Sequence, residues 1–200
     1  REFKRAIELN PGNSNAHQRY GYLLSRFGQH DEAVAELRRA RELDPFYPRL
    51  RLTLGDVLLN ARRYDEAFQH FQQALELNPN DVYVYFMLGR IYMGKRMYSE
   101  AITAFQQGLQ LFPNSAFLLG QLGHVYAVSG KPNEARRVLS ELQRLSKRRY
   151  VFASDMVLVH IGLGDKDQAF AWLEKAYQDR DPWLPFLRVW PEYDPLRNEP

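Results

Sequence analysis

The chain contains no cysteine, which excludes a disulfide framework and cysteine-ligated zinc. Long apolar runs are also missing: residues 82–89, the most apolar stretch, fall far short of the roughly 18 residues a membrane-spanning helix needs. No signal-peptide pattern is visible. Neither sign of charge dominates, with 27 basic against 24 acidic residues and a net charge of +3. That balance points away from a nucleic-acid or anionic-membrane partner. The expectation is a cytoplasmic protein without such partners. The chain opens on Arg1 inside a helical pattern and lacks an initiator methionine, so it reads as a piece of a longer protein.

Chemistry-bearing patterns are equally sparse. His17, His30, His70, His124 and His160 show no metal-ligand spacing such as H-E-x-x-H. Gly162-Leu163-Gly164 lacks the later glycine of a phosphate loop and follows a helix rather than a strand. Gly130-Lys131 lacks the glycine five positions earlier that a P-loop requires. The basic residues 144–149 read as a solvated helix end, favoured there by the helix dipole. No catalytic residue, metal site or cofactor is expected, and any enzymatic activity would lie in another domain.

What is present is a repeat. With 45% hydrophobic residues in 200, the chain can bury a large core. The phrase His30-Asp31-Glu32-Ala33 returns as Tyr64-Asp65-Glu66-Ala67, Tyr98-Ser99-Glu100-Ala101, Pro132-Asn133-Glu134-Ala135 and Lys166-Asp167-Gln168-Ala169. Each alanine stands 34 residues after the last, the mark of one supersecondary unit stacked on copies of itself. Two amphipathic patterns of about fourteen residues fill each period, helix A then helix B. Asp31, Asp65, Ser99, Asn133 and Asp167 are good N-cap types for helix B. The recurrent alanine predicts close helix–helix approach to the glycines of helix A, Gly21, Gly55, Gly89 and Gly123. Pro11, Pro45, Pro79 and Pro113 close successive units.

This spacing of Leu-Gly, Tyr or Leu, Ala, Phe or Leu, Ala and Pro resembles the tetratricopeptide repeat, or TPR. The resemblance implies an all-α, right-handed α-solenoid of antiparallel helix pairs. On that basis the chain divides into a half-repeat 1–13, full repeats 14–47, 48–81, 82–115, 116–149 and 150–183, and an irregular cap 184–200. Departures from the pattern are His17, Arg51, Leu119 and Ala153 at an aromatic position, Val157 for the last glycine, and Lys147 for a closing proline. Residues 181–200 hold five prolines among many aromatics, and read as a cap folded over the end of the fifth helix B. The end of the chain also resembles TPR regions of multidomain bacterial signalling proteins.

In TPR arrays the A helices line a concave groove. Carried onto this chain, the groove positions include Gln18, Tyr22, Arg49, Leu52, Asp56, Tyr83, Phe86, Arg90, Phe117 and His124. Spacing alone supports a shared face, since residues three and four apart on a helix lie together. Tyr83, Phe86 and Arg90 are types enriched at binding hot spots; Phe86 and Met93 admit either a groove or a core placement. The Lys, Asn and Arg clamp that some TPR domains use on chaperone C-termini is replaced here by Gln18, Tyr22, Tyr83 and Met87.

The resulting expectation is a protein–protein interaction scaffold that binds a peptide or partner segment in the groove. Self-association through the apolar half-repeat (Phe3, Ile7, Leu9) is one alternative. A sensor or regulatory region of a larger bacterial signalling or transcription-regulating protein is another.

Overall fold

The computed structural model describes residues 2–197, Pro48 by its backbone alone; Arg1 and residues 198–200, the outer ends of the half-repeat and cap, lie outside the described residues. All regular structure among the described residues is helical, arranged as the helix pairs of an α-solenoid. A short α1 (Glu2–Leu9) precedes α2 (Ser14–Arg26) with α3 (His30–Leu43), and α4 (Pro48–Asn60) with α5 (Tyr64–Leu77). Then follow α6 (Val82–Gly94) with α7 (Tyr98–Leu111), α8 (Ala116–Val128) with α9 (Pro132–Ser146), and α10 (Ala153–Leu163) with α11 (Lys166–Gln178). Helices α2, α4, α6, α8 and α10 are the A helices of the sequence pattern. The tail carries short 3-10 turns at Leu184–Phe186 and Pro191–Tyr193, then α12 (Asp194–Arg197).

The chain forms two compact units, one ending at Pro79 and the other beginning at Asn80. In the first, Leu24, Leu37, Leu54, Val57 and Phe71 fill the space between paired helices. In the second, Val84, Ile91, Phe105, Leu118, Leu142 and Met156 do so.

The phased alanines Ala33, Ala67, Ala101, Ala135 and Ala169 are each 0% exposed, at the close helix contact the repeat predicts. The partner of the phased glycine, however, differs from expectation. A Cβ on Gly21 would lie 2.9 Å from the Ala33 carbonyl oxygen, but on Gly55 it would lie 2.7 Å from the Phe71 ring. Gly89 likewise faces the Phe105 ring, and Gly123 faces Val159 and Val138. In the second and third pairs the glycine makes room for a bulky side chain one turn after the alanine, whereas Gly123 makes room first for Val159 of α10 and then for Val138.

The helix-B caps also need correction. The B helices begin one residue before Asp31, Asp65, Ser99, Asn133 and Asp167, which therefore sit inside the first turn. No side chain caps α3, α5, α7 or α9; on α11 it is Asp165 that accepts from the Gln168 amide. An acid in the first turn still complements the positive end of the dipole. Geometry in the A–B turn is instead fixed by a left-handed residue. Gly28, Arg62, Arg96, Gly130 and Gly164, again 34 apart, all have positive φ, between 59° and 80°. His17, at an aromatic position of the repeat pattern, is buried within reach of Glu36 (2.6 Å) and the Pro11 carbonyl (3.1 Å).

Candidate interaction faces on the A helices

In the first unit the A-helix face comes from α2 and α4. Gln18 is buried and its Nε2 donates to Thr53 Oγ1 at 3.2 Å, so it joins the two A helices. One helical stretch further on, Asn60 Nδ2 donates to Ser25 Oγ, also at 3.2 Å. Those two polar bridges fix how α2 sits beside α4. Tyr22, Leu52 and Asp56 on these helices are half-buried, and Arg49 is exposed.

In the second unit the corresponding face is covered by the chain's own tail. Arg90 is buried on α6 and grips Glu192 with two parallel bonds, Nε to Oε1 at 2.8 Å and Nη2 to Oε2 at 3.2 Å. The Trp190 ring lies 3.9 Å from the guanidinium carbon, close enough for cation–π attraction. Phe86 is fully buried against Phe117 (centroids 3.9 Å apart) and Trp190 (6.4 Å). Trp183 stacks on Phe117 at 5.2 Å, and Tyr83 touches the same cluster through Phe86. His124 is buried on α8, its Nδ1–H donating to the Leu158 carbonyl of α10 at 2.9 Å. At the far end, Asp181 accepts from the Ser154 amide (3.0 Å) in the first turn of α10.

The tail therefore lies against the A helices α6, α8 and α10, not on the end of α11 as its position in sequence suggested. Phe86 thus belongs to the A-helix face and is buried at the same time.

Charge under the tail is finely divided. Burial raises the Glu192 carboxyl, but the attraction and hydrogen bonds of Arg90 outweigh it and hold the group below its ordinary value. Burial keeps His124 neutral by pushing its pKa down. Asp155 is pushed up to about 8, first by burial and then by the Asp181 carboxylate. Beside it, the Gln121 amide and the Ser154 hydroxyl are buried without a hydrogen-bond partner. Among the described residues, no group of three or more His, Cys, Asp or Glu side chains is arranged to hold a metal ion. No helix is long and apolar enough to cross a membrane, again among the described residues.

Sequence reasoning missed Glu192, Trp190, Trp183 and Asp181 as members of this face. The signal for them was the tail's density of aromatics next to isolated acids.

Helix pairs at a fixed step, seamed by small residues and offering an A-helix face, define an α-solenoid of two-helix repeats. The chain belongs to the tetratricopeptide repeat family: family profiles of that repeat match residues 2–35, 27–67 and 52–116. Comparison with curated proteins finds no match. Among solved structures, TTC0263, a thermophilic TPR protein of Thermus thermophilus, is 22% identical over 88% of this chain and 96% of its own (TM-score 0.65). MamA from Desulfovibrio magneticus RS-1 is 20% identical over 74% of this chain and 83% of its own (TM-score 0.63). YrrB, described as a TPR protein with an unusual peptide-binding site, is 21% identical over 94% and 97% (TM-score 0.53). At these identities the likeness is one of fold.

Proposed function

We propose that the chain is a protein-interaction scaffold whose A-helix faces bind an extended or irregular partner segment. The observation that carries this reading is the tail itself: α6, α8 and α10 accommodate an irregular, aromatic-rich stretch of polypeptide, broken into short turns, through side-chain contacts. YrrB, similar in fold, is described as having a peptide-binding site, which is in keeping with this role. In the first unit, Tyr22 and Leu52 offer half-buried contact area, while Arg49 and Asp56 offer charge of both signs to set register.

The test is selection from a random peptide library on the immobilised full chain. Tyr22→Ala with Arg49→Ala should weaken the selected peptides at least tenfold, while the B-helix change Arg39→Ala leaves them unaffected. Equal binding by both variants would remove the first unit's A-helix face as the site. Tyr83 and Arg90 are poor probes, because Arg90 is committed to Glu192.

A second reading, self-association through α1, draws on Leu9, which is 70% exposed, and on the half-buried Phe3 and Ile7. Sedimentation should then show dimer at rising concentration, lost on Leu9→Lys; a monomer at every concentration would rule it out.

A further inference from the structure

Arg90 has a side chain 2% exposed, and its carboxylate partner lies 102 residues away in sequence. Neither α6 nor its neighbour α8 contains an acidic residue. A buried cation left without a counter-ion is strongly destabilising, and the carboxylate bonded to Arg90 is the tail's Glu192, although α10 also carries a buried acid, Asp155. The guanidinium fork is matched by the bidentate geometry of a carboxylate. Its flat surface is matched by an aromatic ring, the place Trp190 takes. Position matters as well as type: the ring precedes the acid by two residues, in Trp190-Pro191-Glu192. A second acid, Asp181, meets the first turn of α10, where Phe152 supplies no side-chain cap.

The occupying segment is held to the face by these side chains, while its backbone bonds, after that of the Asp181 amide to the Ala176 carbonyl of α11, run within the tail. Leu187 donates to Leu184, Trp190 to Phe186 and Tyr193 to Trp190. Arg197 closes the shape from inside, donating from Nε to the Leu187 carbonyl at 2.8 Å. A segment that folds on itself and docks through two acids and a few rings is built like a ligand rather than like another repeat.

We infer that the A-helix face of α6, α8 and α10 recognises segments carrying an aromatic side chain two residues before a carboxylate, that residues 181–197 are its resident occupant, and that a partner segment of this chemistry competes with the tail. The inference rests on the A-helix faces being binding surfaces, but it concerns the second unit alone. The library selection on Tyr22 and Arg49 therefore stands or falls separately.

The experiment uses a fluorescent peptide of residues 181–197 added to the full chain. A Trp190→Ala host, whose own tail is weakened, should bind the peptide at least tenfold more tightly than the wild-type chain. The same peptide carrying Glu192→Gln should lose at least tenfold on that host. Equal affinity of both peptides, or no binding by a host that still melts cooperatively, overturns the proposal. Should Trp190→Ala fail to fold, a Glu192→Gln host, which keeps the ring, takes its place. If neither host folds cooperatively, the tail is an integral part of the fold and the proposal is likewise overturned.

Discussion

Arg90 and Glu192 form a bidentate ion pair in which both side chains are at least 95% buried, between α6 and a short 3-10 turn of the tail. The pair joins two halves of one surface that local sequence leaves unrelated. Removing one partner strands the other, which costs about 3–5 kcal/mol. Arg90→Ala should accordingly lower stability by that order in chemical denaturation. Replacing both with apolar residues (Arg90→Met with Glu192→Leu) should restore most of the loss. A double variant no more stable than Arg90→Ala would show that the pair is not the source of the penalty.

Asp155 makes stability fall as pH rises. Its folded pKa of about 8 lies above the ordinary 3.8, so the native protein keeps a proton that the unfolded chain releases. That contribution is complete below about pH 4 and is lost as pH climbs through 8, at about 1.4 kcal/mol per pH unit at most. Glu192 and His124, both depressed, act oppositely, losing their contributions as pH falls. The difference between wild type and Asp155→Asn isolates the first effect from these and from Asp181 and Tyr193 nearby. Asp155→Asn should gain on wild type steadily from pH 5 to 8, by a few kcal/mol on the same scale. Parallel stability curves across that window would contradict the assignment.

Gly55→Ala should destabilise by about 1–2 kcal/mol even though alanine is the better helix former. Its methyl group would press on the fully buried Phe71 ring. Adding Phe71→Leu to Gly55→Ala should recover part of the loss, as thermal melts would reveal. A stabilising single variant would mean that the helices can part without cost.

Arg96 adopts φ 60° at the turn position where Gly28, Gly130 and Gly164 stand in other repeats. An L side chain there costs about 1–2 kcal/mol, part of which glycine's greater freedom in the unfolded chain offsets. Arg96→Gly should therefore stabilise by about 0.5–1 kcal/mol in denaturant titrations. Destabilisation would mean that contacts of the Arg96 side chain outweigh the backbone strain.

The repeat was legible because identical local demands recur: a buried alanine, a crowded glycine and a first-turn acid fix helix phase without reference to anything distant. The same evidence misled by one residue at the caps, since Asp31 and its counterparts favour a first turn as well as a cap. The left-handed turn series escaped notice because arginine replaces glycine at 62 and 96. For the site, spacing placed Tyr22, Phe86 and Arg90 on A-helix faces, but not what covers them. Five prolines deny the tail any period, so its destination depends on one long-range fit of Trp190 and Glu192 to Arg90. Phe86, open to either a groove or a core placement, and an aromatic tail read as a cap on another helix, were two halves of that fit.

Amide hydrogen exchange of residues 186–197 in the full chain tests most directly whether the tail is an occupant of the A-helix face. Exchange by local opening, at a free energy clearly below that of the α6 and α8 core amides and lowered further by Glu192→Gln, is the predicted result. Tail amides that exchange only with global unfolding would contradict it.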